Sequence, residues 1–244
     1  MTAGLGLDDA YGARIERIKE QGGDKSRLGM EALMWISHAE RPLIADQLCP
    51  ALAFELDSAD FNPGNIPSIE TLVSYCQGLV TVEKEASTVR LIYFTLNQYF
   101  PTYPDIFIKP HTTMAEICLT YLNSQQIKAL DPSSPLDYNS FLGYCSLYWG
   151  VHAKQDLCDY ARSLTLQRVR EYDQHASIRF LVQHTRGLNF FFYSSFHSLG
   201  RVQCASFFGS VKVVAALTEM QGYRPNRAYF FGRFTTCMGC SQCP

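Results

Sequence analysis

The stretch from Ser68 to Tyr93, SIETLVSYCQGLVTVEKEASTVRLIY, changes its hydrophobic period in the middle, and that change decides the fold class. Ser68 follows Pro67 and can cap a helix carrying Ile69, Leu72, Val73 and Cys76, with Gly78 as a left-handed stop. Beyond it, Leu79 to Val82 and Thr88 to Tyr93 are β-branched, partly alternating runs, separated by the polar turn Glu83 to Ser87. A helix therefore leads directly into a β-hairpin.

Working upstream, Asp24 to His38 places Leu28, Ala32, Trp35 and Ile36 on one stripe, which predicts an amphipathic helix that Pro42 breaks. A second helix fits Ala45 to Glu55, although Pro50 inside it removes a backbone donor at a cost of about 3 kcal/mol. Asp57 to Pro67, centred on Pro63-Gly64-Asn65, reads as a loop. Three helices followed by a hairpin is the order of a winged helix, in which the hairpin covers the third helix.

Working downstream, Met114, Ile117, Cys118, Tyr121 and Leu122 share one helical face. Ser134-Pro135-Leu136-Asp137 reads as the start of a helix aligning Tyr138, Phe141, Leu142, Cys145, Tyr148 and Trp149. Two more helices are expected near Leu157 to Tyr172 and Ser177 to Thr185, so residues 106–190 form a helical bundle. After the aromatic run Phe190 to Tyr193, a loop leads to Gln203 to Gly209 and a short helix from Ser210 to Met220.

Composition narrows the function classes. The 244 residues are 47% hydrophobic, enough for one ordinary core or two small ones. The formal net charge of −2 provides no single-sign field to steer a polyanion or a membrane surface. Residues Met1 to Ile15 carry Asp8 and Asp9 and no apolar run, and no stretch approaches a membrane span, so a cytoplasmic protein is expected. Six of the nine cysteines (Cys49, Cys76, Cys118, Cys145, Cys158, Cys204) lie scattered in apolar segments, as reduced core thiols do.

The block Met30 to Leu43, with Leu48, Ala51, Leu52, Ala53 and Glu55, resembles the region that follows the nucleotide-binding domain in NACHT-type signal-transduction NTPases, the GPI inositol-deacylase winged-helix domain. The resemblance continues through Gln77 to Val82, Val89 to Thr95, Tyr99, Pro104 to Phe107, Ile117 to Leu122 and Trp149 to Ala153. Ile44 and Pro50 depart from it, standing where helix-compatible residues are expected. In such proteins ankyrin repeats follow, and Gln203-Cys204-Ala205-Ser206, Gly209, Val213, Val214 and Leu217 resemble one ankyrin helix pair. Gln203 replaces the usual His, and the customary Thr-Pro start is missing. The resemblance implies a mainly α chain: residues 1–24 as a remnant after a NACHT domain, 25–105 a winged-helix domain with a small β-hairpin, 106–196 a helical linker or spacer, 197–229 an incomplete ankyrin repeat and 230–244 an irregular Cys-rich tail.

Each candidate site weakens on inspection. Gln21-Gly22-Gly23-Asp24-Lys25-Ser26 puts an acid where a phosphate-binding loop needs glycine, and no hydrophobic strand precedes it. No Gly-x-Ser-x-Gly elbow supports hydrolase chemistry. From Pro50 to Glu83 there are five acids (Glu55, Asp57, Asp60, Glu70, Glu83) and no Lys or Arg, which disfavours DNA at the third helix. None of His38, His111, His152, His175, His184 and His197 pairs with another at a metal-ligand spacing, so each reads as a packed or surface histidine. Trp35 and Trp149 read as core. Cys237-x-x-Cys240-x-x-Cys243 places three thiols close together, but a structural zinc needs four ligands. A frame-shifted or mis-spliced end is the favoured reading of that tail, and an uninformative disordered tail is the third.

No residue is accordingly assigned a catalytic, cofactor-binding or metal role, and no cofactor is expected. The expected function is that of a non-catalytic connector between an NTPase and an ankyrin array, with protein partners and without nucleic acid, membrane or small-molecule substrate. An autonomous adaptor and a metal-binding protein acting through the cysteine tail are the alternatives. Fewer than about three stacked repeats cannot bury a solenoid core, so a truncated product is expected to lack a concave binding surface.

Overall fold

The computed structural model of the protein describes residues 3–54, 61–130, 137, 139–153 and 159–170. The chain opens with α1 (Ala3–Glu20), an element absent from the reading above. Its Tyr11, Ile15 and Ile18 are buried at spacings of four and three, which seats one face of the helix in the core. Gly22 and Gly23, at φ of 71° and 52°, turn the chain back into α2 (Gly23–His38). Helix α2 buries Leu28, Ala32, Leu33, Met34 and Trp35.

The next elements are β1 (Leu43–Ile44), α3 (Ala45–Ala51), α4 (Ile69–Tyr75), β2 (Val80–Glu83) and β3 (Thr88–Leu91). The antiparallel sheet has the order β1-β3-β2, with Leu43 opposite Val89 and Val80 opposite Leu91. Helix, strand, two helices and a hairpin is a winged-helix-like arrangement. The strand β1 is new relative to the sequence reading, and it accounts for Ile44: that residue ends a strand before α3 begins and was never inside the helix. Gln47, fully buried, fixes the junction by accepting from the Ile44 amide at 3.4 Å and from Arg41 Nη1 at 3.0 Å.

Pro50 has the effect its chemistry predicts. It falls in the last turn of α3, which ends at Ala51, and the Leu52 and Ala53 amides close tight turns onto the carbonyls of Cys49 and Pro50. Ser68 caps α4 as expected, its Oγ accepting from the Thr71 amide at 3.2 Å. The stop is double: Gln77 and Gly78 both have positive φ, at 49° and 74°. Glu83 extends β2 by one residue and pairs opposite Thr88, so the hairpin turn is Lys84 to Ser87.

A short α5 (Leu96–Thr102) leads to α6 (Pro110–Asn123), α7 (Gln125–Lys128), α8 (Phe141–His152) and α9 (Asp159–Arg170). Helix α6 packs along α8 and α9. The start of α8 differs from the reading at Ser134. Asp137 precedes the helix, its Oδ1 accepting from the Asn139 amide at 2.8 Å, and Ser140 is the true cap, accepting from the Gly143 amide at 3.2 Å. Ser134 and Pro135 lie outside the described residues, as do the helix expected at Ser177 to Thr185, the ankyrin-like segment and the cysteine tail.

Winged-helix-like part and bundle share one core. Trp35 of α2 meets Phe141 and Tyr144 of α8 edge-on, and Phe54 and Phe61 stack toward Tyr121 and Phe141. Among the described residues, no helix is long and apolar enough to cross a membrane.

Candidate functional site

Three candidate sites from the sequence can be placed directly. The Gln21 to Ser26 string joins two helices, α1 and α2, and the strand that a phosphate-binding loop follows is absent from that place. Helix α4 carries Glu70 in its first turn and no basic residue in its last, so its exposed side offers phosphate groups no counter-charge. Cys49, Cys76, Cys118 and Cys145 are buried free thiols. Burial pushes the Cys76 thiol up to about 12, and burial followed by Asp46 and Glu70 pushes Cys49 up to about 11, so both remain protonated and unreactive.

The histidines behave differently from their spacing. His38 is the last residue of α2, His111 the second of α6 and His152 the last of α8, and the packing of these helices brings the three rings together. The His111 and His152 rings lie with centroids 5.1 Å apart and planes at 27°, their Nδ1 atoms 2.8 Å from one another. His38 stands edge-on to His111 at 5.5 Å. Glu40, two residues past the end of α2, completes the group: one donor atom from each of Glu40, His111 and His152 lies within 4.8 Å of the others.

A second layer holds this cluster. His152 is fully buried, and its Nε2 lies 2.9 Å from the Tyr144 hydroxyl, whose oxygen accepts from the Glu40 amide at 3.3 Å. The Arg41 guanidinium rests over the rings of Tyr144 and Tyr148, at 5.7 and 5.8 Å. His38 Nδ1 lies 3.1 Å from the Met34 carbonyl, which can only accept, and 2.8 Å from the Ser37 hydroxyl, which can donate or accept. Burial, followed by the neighbouring His111 and His38, holds His152 down at about 3, and burial also lowers His38. Both rings are neutral at ordinary pH. Sequence spacing missed this cluster because its members meet only through helix packing.

The surface carries a second feature. Leu7, Tyr93, Phe94 and Tyr103 are exposed large apolar side chains, Phe94 at 75%. Rings link two of them, Tyr93 and Tyr103: Tyr11 contacts Tyr93 and Tyr99, and Tyr99 lies 4.4 Å from Tyr103. The result is an aromatic strip where α1, the end of the hairpin and α5 meet.

Searches of curated proteins and of solved structures found no match to the chain. A family model does match: residues 16–102, running from the second half of α1 to the end of α5, correspond to the GPI inositol-deacylase winged helix domain.

Proposed function

We propose that the chain is a non-catalytic connector of the NACHT and ankyrin type, a cytoplasmic module that works through protein partners. The observation that carries this reading is the exposed apolar surface of Tyr93 and Phe94, which lie in the part matched by the winged-helix family, together with Leu7 and Tyr103 just outside it. Exposed apolar surface of this kind is costly in water unless a partner covers it. Supporting it, α4 lacks the cations that a DNA-reading helix needs, and the Gln21 to Ser26 string is embedded between helices. The relay between an NTPase and an ankyrin array, with residues 197–229 as an incomplete repeat, completes the proposal.

The test is association of the full chain with a purified NACHT-ankyrin protein that carries the same winged-helix domain. Saturable binding is expected, weakened at least tenfold by Phe94→Asp with an unchanged circular dichroism spectrum. Absence of binding by the unsubstituted chain counts against the connector, and ATP turnover above blank counts against its non-catalytic character.

A further inference from the structure

We propose that Glu40, His111 and His152 form a binding site for a single zinc ion at the junction of α2, α6 and α8. The argument starts from the contact between the two imidazoles. Nδ1 of His111 and Nδ1 of His152 face each other at 2.8 Å, so in either arrangement of tautomers one proton sits between two in-plane lone-pair positions. Ring nitrogens of two different helices therefore lie side by side, and a carboxylate oxygen of Glu40, from a third segment, lies within 4.8 Å of a ring nitrogen of each. Among the described residues, the Glu40 carboxylate makes no salt bridge.

Two imidazoles and a carboxylate form a ligand set that suits zinc, with bonds of about 2.0–2.2 Å and a tetrahedral arrangement placing ligands about 3.3 Å apart. The donors, all within 4.8 Å of one another, need to adjust by at most about 1.5 Å. The two Nδ1 atoms would open by about half an ångström, within the reach of ring rotation about side-chain torsions. Glu40 is exposed and His111 half-exposed, while His152 is buried, so the site has an open side for the entering ion and a closed back.

The orienting layer already exists. A metal-bound histidine characteristically donates its remaining N–H to a fixed acceptor, which sets the tautomer. For His152 that acceptor is the Tyr144 hydroxyl, 2.9 Å from Nε2 and tied to the Glu40 backbone, so one phenol joins two ligand-bearing segments. Protons balance on binding: each ring keeps one proton, on Nε2, and both Nδ1 lone pairs pass to the ion. The fourth position falls to water or to His38, whose ring stands beside His111.

The experiment uses the full chain with Cys237, Cys240 and Cys243 replaced by serine, which removes the thiol tail as a competing source of ligands. Zinc is titrated against a chromophoric chelator, and cobalt(II) serves as a spectroscopic substitute. One zinc per chain is expected, together with visible cobalt bands lacking a thiolate charge-transfer absorption. Glu40→Gln and His111→Ala should each weaken binding at least tenfold. Glu40 is exposed, so its amide variant retains the fold and keeps the test decisive even if His111→Ala unfolds. Lack of stoichiometric zinc in the serine background, or affinity that survives Glu40→Gln, overturns the site. Either result leaves the connector reading intact, because that reading depends on Phe94 and its surroundings.

Discussion

The indole of Trp35, at the buried face of α2, meets the ring of Tyr144 in α8 edge-on, with centroids 5.7 Å apart and planes at 67°. Phe141 packs against the same indole at 5.9 Å. This contact ties the winged-helix-like part to the bundle. The chain has two tryptophans, and Trp149 lies fully buried in α8. Trp35→Ala thus leaves a fluorescence reporter on the far side of the junction. Loss of so large a buried side chain should cost about 3–5 kcal/mol, and the urea midpoint reported by Trp149 should fall accordingly. A Trp149 transition that does not move would mean that α2 and α8 unfold separately.

Gly29 lets α2 pack closely against Ile18 of α1 and the backbone of Tyr75 in α4. A Cβ placed there would lie 2.8 Å from Ile18 Cγ2 and 2.9 Å from the Tyr75 carbonyl oxygen. The second of these is backbone and cannot swing aside. Gly29→Ala improves helix propensity by about 1 kcal/mol, but the clash should outweigh that gain and leave the protein destabilised by about 1–3 kcal/mol. Thermal denaturation compared with Ser26→Ala, a substitution outside that three-way contact, separates propensity from packing.

His152 makes stability depend on acid. Its ring titrates near 6.5 when unfolded and is held at about 3 in the fold, chiefly by burial. Between those values the unfolded chain binds more protons, so the stabilisation is complete above about pH 6.5 and is lost as the pH falls toward 3. His38, lowered for the same reason, acts in the same direction. Chemical denaturation from pH 7 to pH 4 should show a smaller acid loss for His152→Gln than for the unsubstituted chain. Equal slopes for the two proteins would refute it.

Glu31 has the opposite sign. Burial raises its carboxyl to about 7 despite the 3.1 Å ion pair with Arg27 Nη1, because desolvation outweighs the attraction. The folded chain then holds a proton that the unfolded chain has released, so this residue weakens the fold as the pH rises from 4.5 through 7. Glu31→Gln keeps the shape and removes the ionisation. It should raise the melting temperature at pH 8 and have a smaller effect at pH 5; a larger gain at pH 5 contradicts this account.

Much of the fold was readable because periodic segments announce themselves. Leu28, Ala32 and Trp35 marked α2, Ser68 marked the start of α4, and the β-branched runs around Glu83 to Ser87 marked the hairpin. β1 escaped because two residues, Leu43 and Ile44, cannot display a period. α1 escaped because Gly4, Gly6 and Gly12 lower its helical propensity, even though Tyr11, Ile15 and Ile18 were correctly spaced. The histidine cluster was illegible for a different reason. His111 and His152 are 41 residues apart on separate helices, and no local spacing rule encodes a meeting of helix ends.

The Trp35 contact also bears on how the molecule can be dissected. A fragment cut from the chain near residue 105 would keep the indole and lose Phe141 and Tyr144, the rings that shield it. Freshly bared aromatic surface of that kind invites self-association. Excised winged-helix fragments should therefore precipitate where the longer chain stays in solution, and any binding they show would have to be separated from adhesion through that wound.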